Sequence, residues 1–112
     1  MEGVGAQEAR DFVEQLWVQF APVIAERLSA IETLLDVLES GQKASPDEIS
    51  NARYAAHNLA GALGSYGRPE GSTVAREIQF LLDSGAPSIG KLRPLFTALL
   101  SATSAPRNEA GA

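Results

Sequence analysis

The feature that most constrains this chain is a periodicity. Ile49, Ala52, Ala56, Leu59, Leu63 and Tyr66 recur at spacings of 3, 4, 3, 4 and 3. On a helix of about 3.6 residues per turn that spacing gathers them into one apolar stripe. Such a stripe needs other helices to cover it, because short isolated helices are marginal in water. The remainder of the chain offers no other kind of partner. No segment alternates apolar and polar residues with the β-branched enrichment of a half-buried strand.

The one histidine, His57, stands off the stripe. It lies one step of about 100° round from Ala56, on a flank shared with Arg53, Ala60, Gly61 and Gly64 at −4, +3, +4 and +7. Each glycine inside a helix costs about 1 kcal/mol relative to alanine. Keeping two of them beside an outward-facing imidazole implies that something bulky comes close there. Gly61, Gly64 and Gly67 also fall at every third residue, a pattern that reads as a close-packing face rather than as a phosphate-cradling loop.

Taken in order, the chain reads as helices joined by short turns. Residues 1–6 are small and glycine-bearing, a frayed start. From Gln7 a first helical face carries Ala9, Phe12, Val13, Leu16, Trp17 and Phe20. Pro22 lacks the N–H that a continuing helix uses, so a break or bend is expected near Phe20–Ala21. A second segment places Val23, Ile24, Leu28, Ile31, Leu34, Leu35 and Leu38 on its core side and stops at Gly41. Ser45-Pro46-Asp47-Glu48 reads as a helix start, with a serine cap, proline in the first turn and acids at the positive end of the dipole. That helix carries the stripe and ends near Tyr66–Gly67. Pro69-Glu70 opens another, with Val74, Ile78, Leu81 and Leu82, ending near Ser84–Gly85. A last helix holds Leu92, Leu95, Phe96, Leu99 and Leu100, and Pro94 sets its regular start around Gly90–Arg93. The pattern predicts an all-α fold, an antiparallel bundle occupying residues 7–103, with a disordered tail over 104–112.

Composition removes several functions. Without cysteine there are no disulfides, no cysteine zinc site and no thiol catalysis. One histidine excludes a multi-histidine metal site, and no metal ligand set is expected. A net charge of −5 argues against nucleic acid, which needs a basic face. No leader pattern and no apolar run of membrane-spanning length is read, so a cytoplasmic protein without a membrane partner is expected. Neither a Walker loop nor a kinase motif set is present.

His57-Asn58-Leu59-Ala60-Gly61-Ala62-Leu63-Gly64-Ser65-Tyr66-Gly67 resembles the phosphoacceptor signature of histidine-containing phosphotransfer (HPt) domains. That signature runs His-x-Leu-Lys-Gly-Ser/Ala, then small or apolar residues, an aromatic and Gly. The likeness continues through Ser72-Thr73-Val74-Ala75-Arg76-Glu77-Ile78-Gln79 and covers roughly residues 50–83. The chain departs from the signature at Ala60, where the family usually has lysine, and carries an uncharged Asn58 at +1.

The resemblance implies a four-helix core with an additional N-terminal helix laid across it. It also implies a phosphocarrier, not an autonomous enzyme: His57 takes the phosphoryl group and passes it to or from a receiver-domain aspartate. The partners implied are a response-regulator receiver and a sensor histidine kinase. The Mg²⁺ belongs to the receiver, and no cofactor is bound by this chain, for which a monomer is favoured. Gln79 follows His57 by 22 positions, the spacing of a family glutamine that hydrogen-bonds the histidine from the next helix. Counting residues across the turn at Gly67–Arg68 puts the two at similar height. Arg53, Arg68 and Arg76 read as solvated helix charges, with Arg53 or Arg76 the candidates to replace the missing lysine. The face of Phe12, Val13, Leu16, Trp17 and Phe20 reads as a cap on the core, part of which would dock a receiver if exposed. The alternatives are an HPt-shaped bundle that only binds receivers or kinases or dimerises, and a plain helical interaction domain.

Overall fold

The computed structural model describes residues 2–85 and 87–104. Four helices follow in order: α1 (Glu2–Glu39), α2 (Pro46–Ser65), α3 (Pro69–Asp83) and α4 (Ile89–Ser104). Among the described residues there is no strand, and no helix is long and apolar enough to cross a membrane. Each helix packs on its neighbours in sequence and α4 returns to α1, which closes a ring compatible with an antiparallel four-helix bundle.

The core is built from the faces that the periodicities mark. Ile24, Ile31, Leu34 and Leu35 come from α1, and Ala52, Ala56, Leu59 and Leu63 from α2. Ala75, Ile78 and Leu82 come from α3, and Leu92, Phe96 and Leu99 from α4. Burying each large side chain contributes about 1.5–3 kcal/mol. The alanines of α2 let α3 come close. α2 begins with the expected cap: the Glu48 amide donates to Ser45 Oγ at 3.1 Å and the Ser45 amide to Glu48 Oε1 at 2.8 Å.

The two segments expected before residue 41 are one helix. α1 runs unbroken through Pro22 for 38 residues, so no separate N-terminal helix crosses the bundle. Pro22 removes one backbone hydrogen bond, but side chains on its N-terminal side are anchored elsewhere. Trp17 meets the Tyr66 ring edge-on at 5.7 Å, and Phe20 stacks on it at 6.1 Å. Those contacts hold the helix in line across the proline. The helix also begins at Glu2 rather than Gln7, because extending an existing helix costs little once it is nucleated. Among the described residues the fully buried side chains of α1 begin at Ile24, and Trp17 is half-buried against the core. α4 starts at Ile89, one residue ahead of the expected range, with Pro94 inside it. The side chain of Val13 and the expected tail beyond Ser104 lie outside the described residues.

The turn between α2 and α3 sets their register. The Arg68 amide donates to Leu63 O at 2.8 Å and the Gly67 amide to Gly64 O at 3.3 Å, the paired bonds of a Schellman motif. Gly67 takes φ +73° there, a left-handed conformation that glycine adopts without a Cβ penalty. Arg68 then turns inward. It is 8% exposed, its Cζ sits 3.8 Å from the centre of the Trp17 ring, and it donates to Ala102 O at 3.1 Å. The expectation of a solvated charge is thus corrected. One buried guanidinium ties α1 and the last turn of α4, where helix carbonyls lack partners, to the α2–α3 turn.

Candidate functional site

Successive turns of α2 and α3 face one another in opposite directions. Arg53 donates to Asp83 Oδ1 at 3.3 Å. One turn along α2, and one turn back along α3, His57 Nδ1 lies 3.3 Å from Gln79 Oε1. Two turns further back along α3, Ser72 Oγ reaches beneath the next turn of α2 and donates to Ala60 O at 2.6 Å. Both members of each pair follow from the tight turn at Gly67, since a slip of one residue would break all three.

His57 is exposed, and Gln79 is half-buried beside it. An amide oxygen only accepts, so this contact is a hydrogen bond in the tautomer that carries its proton on Nδ1. In that tautomer Nδ1–H donates to Gln79 Oε1, and the lone pair resides on Nε2. Nε2 has no hydrogen-bond partner among the described residues. Ala60, Gly61, Arg76, Phe80 and Asp83 complete the lining of an open depression around the ring, about 450 Å³ in volume.

The flanking residues divide. A Cβ added at Gly61 would meet no atom within 4 Å, so this glycine keeps open space beside the ring. A Cβ at Gly64 would touch Ser72 Oγ at 3.5 Å, ordinary contact one turn away from the depression. Gly61 is therefore not part of a close-packing face, which corrects that reading. The glycine that packing requires is Gly71, where a Cβ would come within 2.9 Å of Leu63 Cδ1 and 3.4 Å of Ala102 Cβ. It sits alone in the first turn of α3, and no spacing in the sequence marks it. Ala60 is 6% exposed and forms floor rather than rim. Arg53 is held by Asp83, and Arg76 borders the depression without a partner among the described residues.

Phe80 was not singled out by sequence reasoning. It is 78% exposed and stands between this depression and a second, apolar groove lined also by Thr73, Arg76, Leu81, Lys91 and Leu95. Its only sequence signal is an aromatic placed next to Gln79 and off the Ile78–Leu82 core face. Among the described residues no group of histidine, aspartate and glutamate could hold a metal ion.

No family model matches the chain. No solved structure matches it either. It is similar to Protein RcaC of Microchaete diplosiphon, with 25% identity over 96 residues. That similarity covers 86% of this chain and 15% of RcaC, so the chain spans a small part of the length of that relative.

Proposed function

We propose that this domain is a histidine phosphotransfer unit of a two-component phosphorelay, carrying a phosphoryl group on His57 to or from a receiver-domain aspartate. The observation that carries this reading is the ring itself: exposed, held at Nδ1 by Gln79 Oε1 at 3.3 Å, and free at Nε2 among the described residues. A neutral imidazole so held presents its lone pair outward as a nucleophile. The Nε2 lone pair forms the N–P bond, and the P–O bond of the donor acyl phosphate breaks. The departing carboxylate takes that electron pair, while the ring proton stays on Nδ1, donated to Gln79. A neutral amide orients the ring without the pull toward the imidazolium that a carboxylate would exert.

The chain brings a positioned nitrogen and little else, so a receiver would supply the acyl phosphate and the Mg²⁺. Phe80 gives that partner an apolar foothold beside the reacting atom. The test is incubation with phosphorylated receiver domains. Acid-labile, alkali-stable phosphate should appear on the protein and be absent from His57→Gln. Receivers that bind without any such label would favour the non-phosphorylated docking bundle instead, and no binding at all would sink both readings.

A further inference from the structure

We propose that Arg76 is the residue of this chain that holds the phosphoryl group once it is on His57. The inference rests on the reading of His57 as phosphoacceptor and adds a binding role for one side chain on the next helix. A phosphoryl group on the ring brings on the order of two negative charges. The depression that receives it already contains Asp83, whose carboxylate is occupied by Arg53 at 3.3 Å. Those two offset one another, and the positive charge the ring gains by keeping its Nδ1 proton offsets only part of the incoming charge.

The remaining cations near the α2–α3 pair separate cleanly. Arg68 is buried between the Trp17 ring and Ala102 O. Arg76 is exposed, lines the same depression as His57, and has no hydrogen bond or ion pair among the described residues. It sits on the turn of α3 next to Gln79 and faces the turn of α2 that holds Ala60 and Gly61. Beyond the chain neighbours and helix backbone of Gly61 itself, no atom lies within 4 Å of the place its Cβ would occupy, which leaves open space beside the ring. A guanidinium swung over Gly61 can donate two parallel hydrogen bonds to phosphoryl oxygens, the strongest anion contact a side chain makes. Gly61 thus leaves space for Arg76 as well as for a partner.

The experiment uses phosphoramidate, a small donor with no docking surface, and follows phosphohistidine on the intact chain. Arg76→Gln should slow labelling of His57 by about fivefold or more, with Arg76→Lys recovering part of the rate through its charge alone. The gap between wild type and Arg76→Gln should narrow as salt is raised. Circular dichroism should be unchanged, since the side chain is exposed. If wild type is labelled and Arg76→Gln matches it within twofold, the Arg76 role is overturned while His57 remains the acceptor. Equal slowing in Arg76→Lys and Arg76→Gln, insensitive to salt, overturns it too. If neither phosphoramidate nor any phosphorylated receiver labels His57, the acceptor reading falls and takes this one with it.

Discussion

Gln79 meets His57 at Nδ1 and leaves the other ring nitrogen, Nε2, untouched. Its Oε1 lies 3.3 Å from Nδ1, and one turn away on both helices Arg53 holds Asp83 at the same separation. The salt bridge is exposed and worth at most about 1 kcal/mol, so register rather than energy is its contribution. On the proposed reading the glutamine fixes both the tautomer and the ring plane, which are the two properties a nucleophilic imidazole needs.

Replacing that glutamine should therefore alter rate before stability. Gln79→Ala should lower the transfer rate about tenfold, or 1.4 kcal/mol of lost orientation, with an unchanged melting curve. Gln79→Glu tests the sign of the electrostatics. A carboxylate there favours the imidazolium, so the rising limb of the pH–rate profile should move to higher pH. A rate unaffected by either change, measured by phosphohistidine formation, would remove Gln79 from the site.

Two glycines in adjacent helices should respond in opposite directions. At Gly61 nothing opposes a Cβ, so Gly61→Ala should gain about 1 kcal/mol from helix propensity. At Gly71 the Cβ would come within 2.9 Å of a terminal methyl of Leu63, which is fully buried and would have to shift within the core. Gly71→Ala should lose about 1–2 kcal/mol despite the same propensity gain. Urea unfolding of the two variants gives the comparison directly, and a stabilised Gly71→Ala would refute the packing account.

Arg68 should behave as a core residue although it is charged. Arg68→Ala removes a cation from the face of Trp17 and leaves Ala102 O without that donor, a loss of about 2–3 kcal/mol. For a domain of this size that lowers the melting temperature by on the order of 10 °C. Arg68→Lys should recover only part of it, because an ammonium cannot stack as a planar guanidinium does. Full recovery by lysine would mean that charge alone, not stacking, matters here.

What the sequence made legible was local or could be counted. The Ser45–Glu48 cap, the left-handed Gly67 and the periodicity of α2 are signals carried within a few residues, and counting across one tight turn set His57 opposite Gln79. What stayed hidden depended on distant partners. Pro22 reads as a break until Trp17 and Phe20 are seen against Tyr66. Arg68 reads as a surface charge until Trp17 and Ala102 close on it. Gly61 and Gly71 have the same local chemistry, and only the position of Leu63 tells the open one from the crowded one.

The last question is whether a receiver, on the proposed reading, would use the exposed phenylalanine of α1 or that of α3. Phe12 is 61% exposed on the first half of α1, and Phe80 is 78% exposed on α3. Transfer requires the donor phosphorus to reach His57 Nε2 in line, within about 3–3.5 Å of attack geometry. A docking contact fixes that geometry best when it adjoins the reacting atom. Phe80 lines the His57 depression and Phe12 does not. An exposed aromatic ringed by Arg76, Glu77 and Lys91 also matches the apolar centre and polar rim of a transient interface. Phe80→Ala should weaken transfer from a phosphorylated receiver about tenfold, the scale of a truncated aromatic hot spot. It should leave labelling by phosphoramidate at the wild-type rate, because a small donor needs no foothold. Phe12→Ala should change neither. If Phe12→Ala slows receiver transfer and Phe80→Ala does not, the partner docks on the first half of α1, and the groove beside His57 has some other occupant.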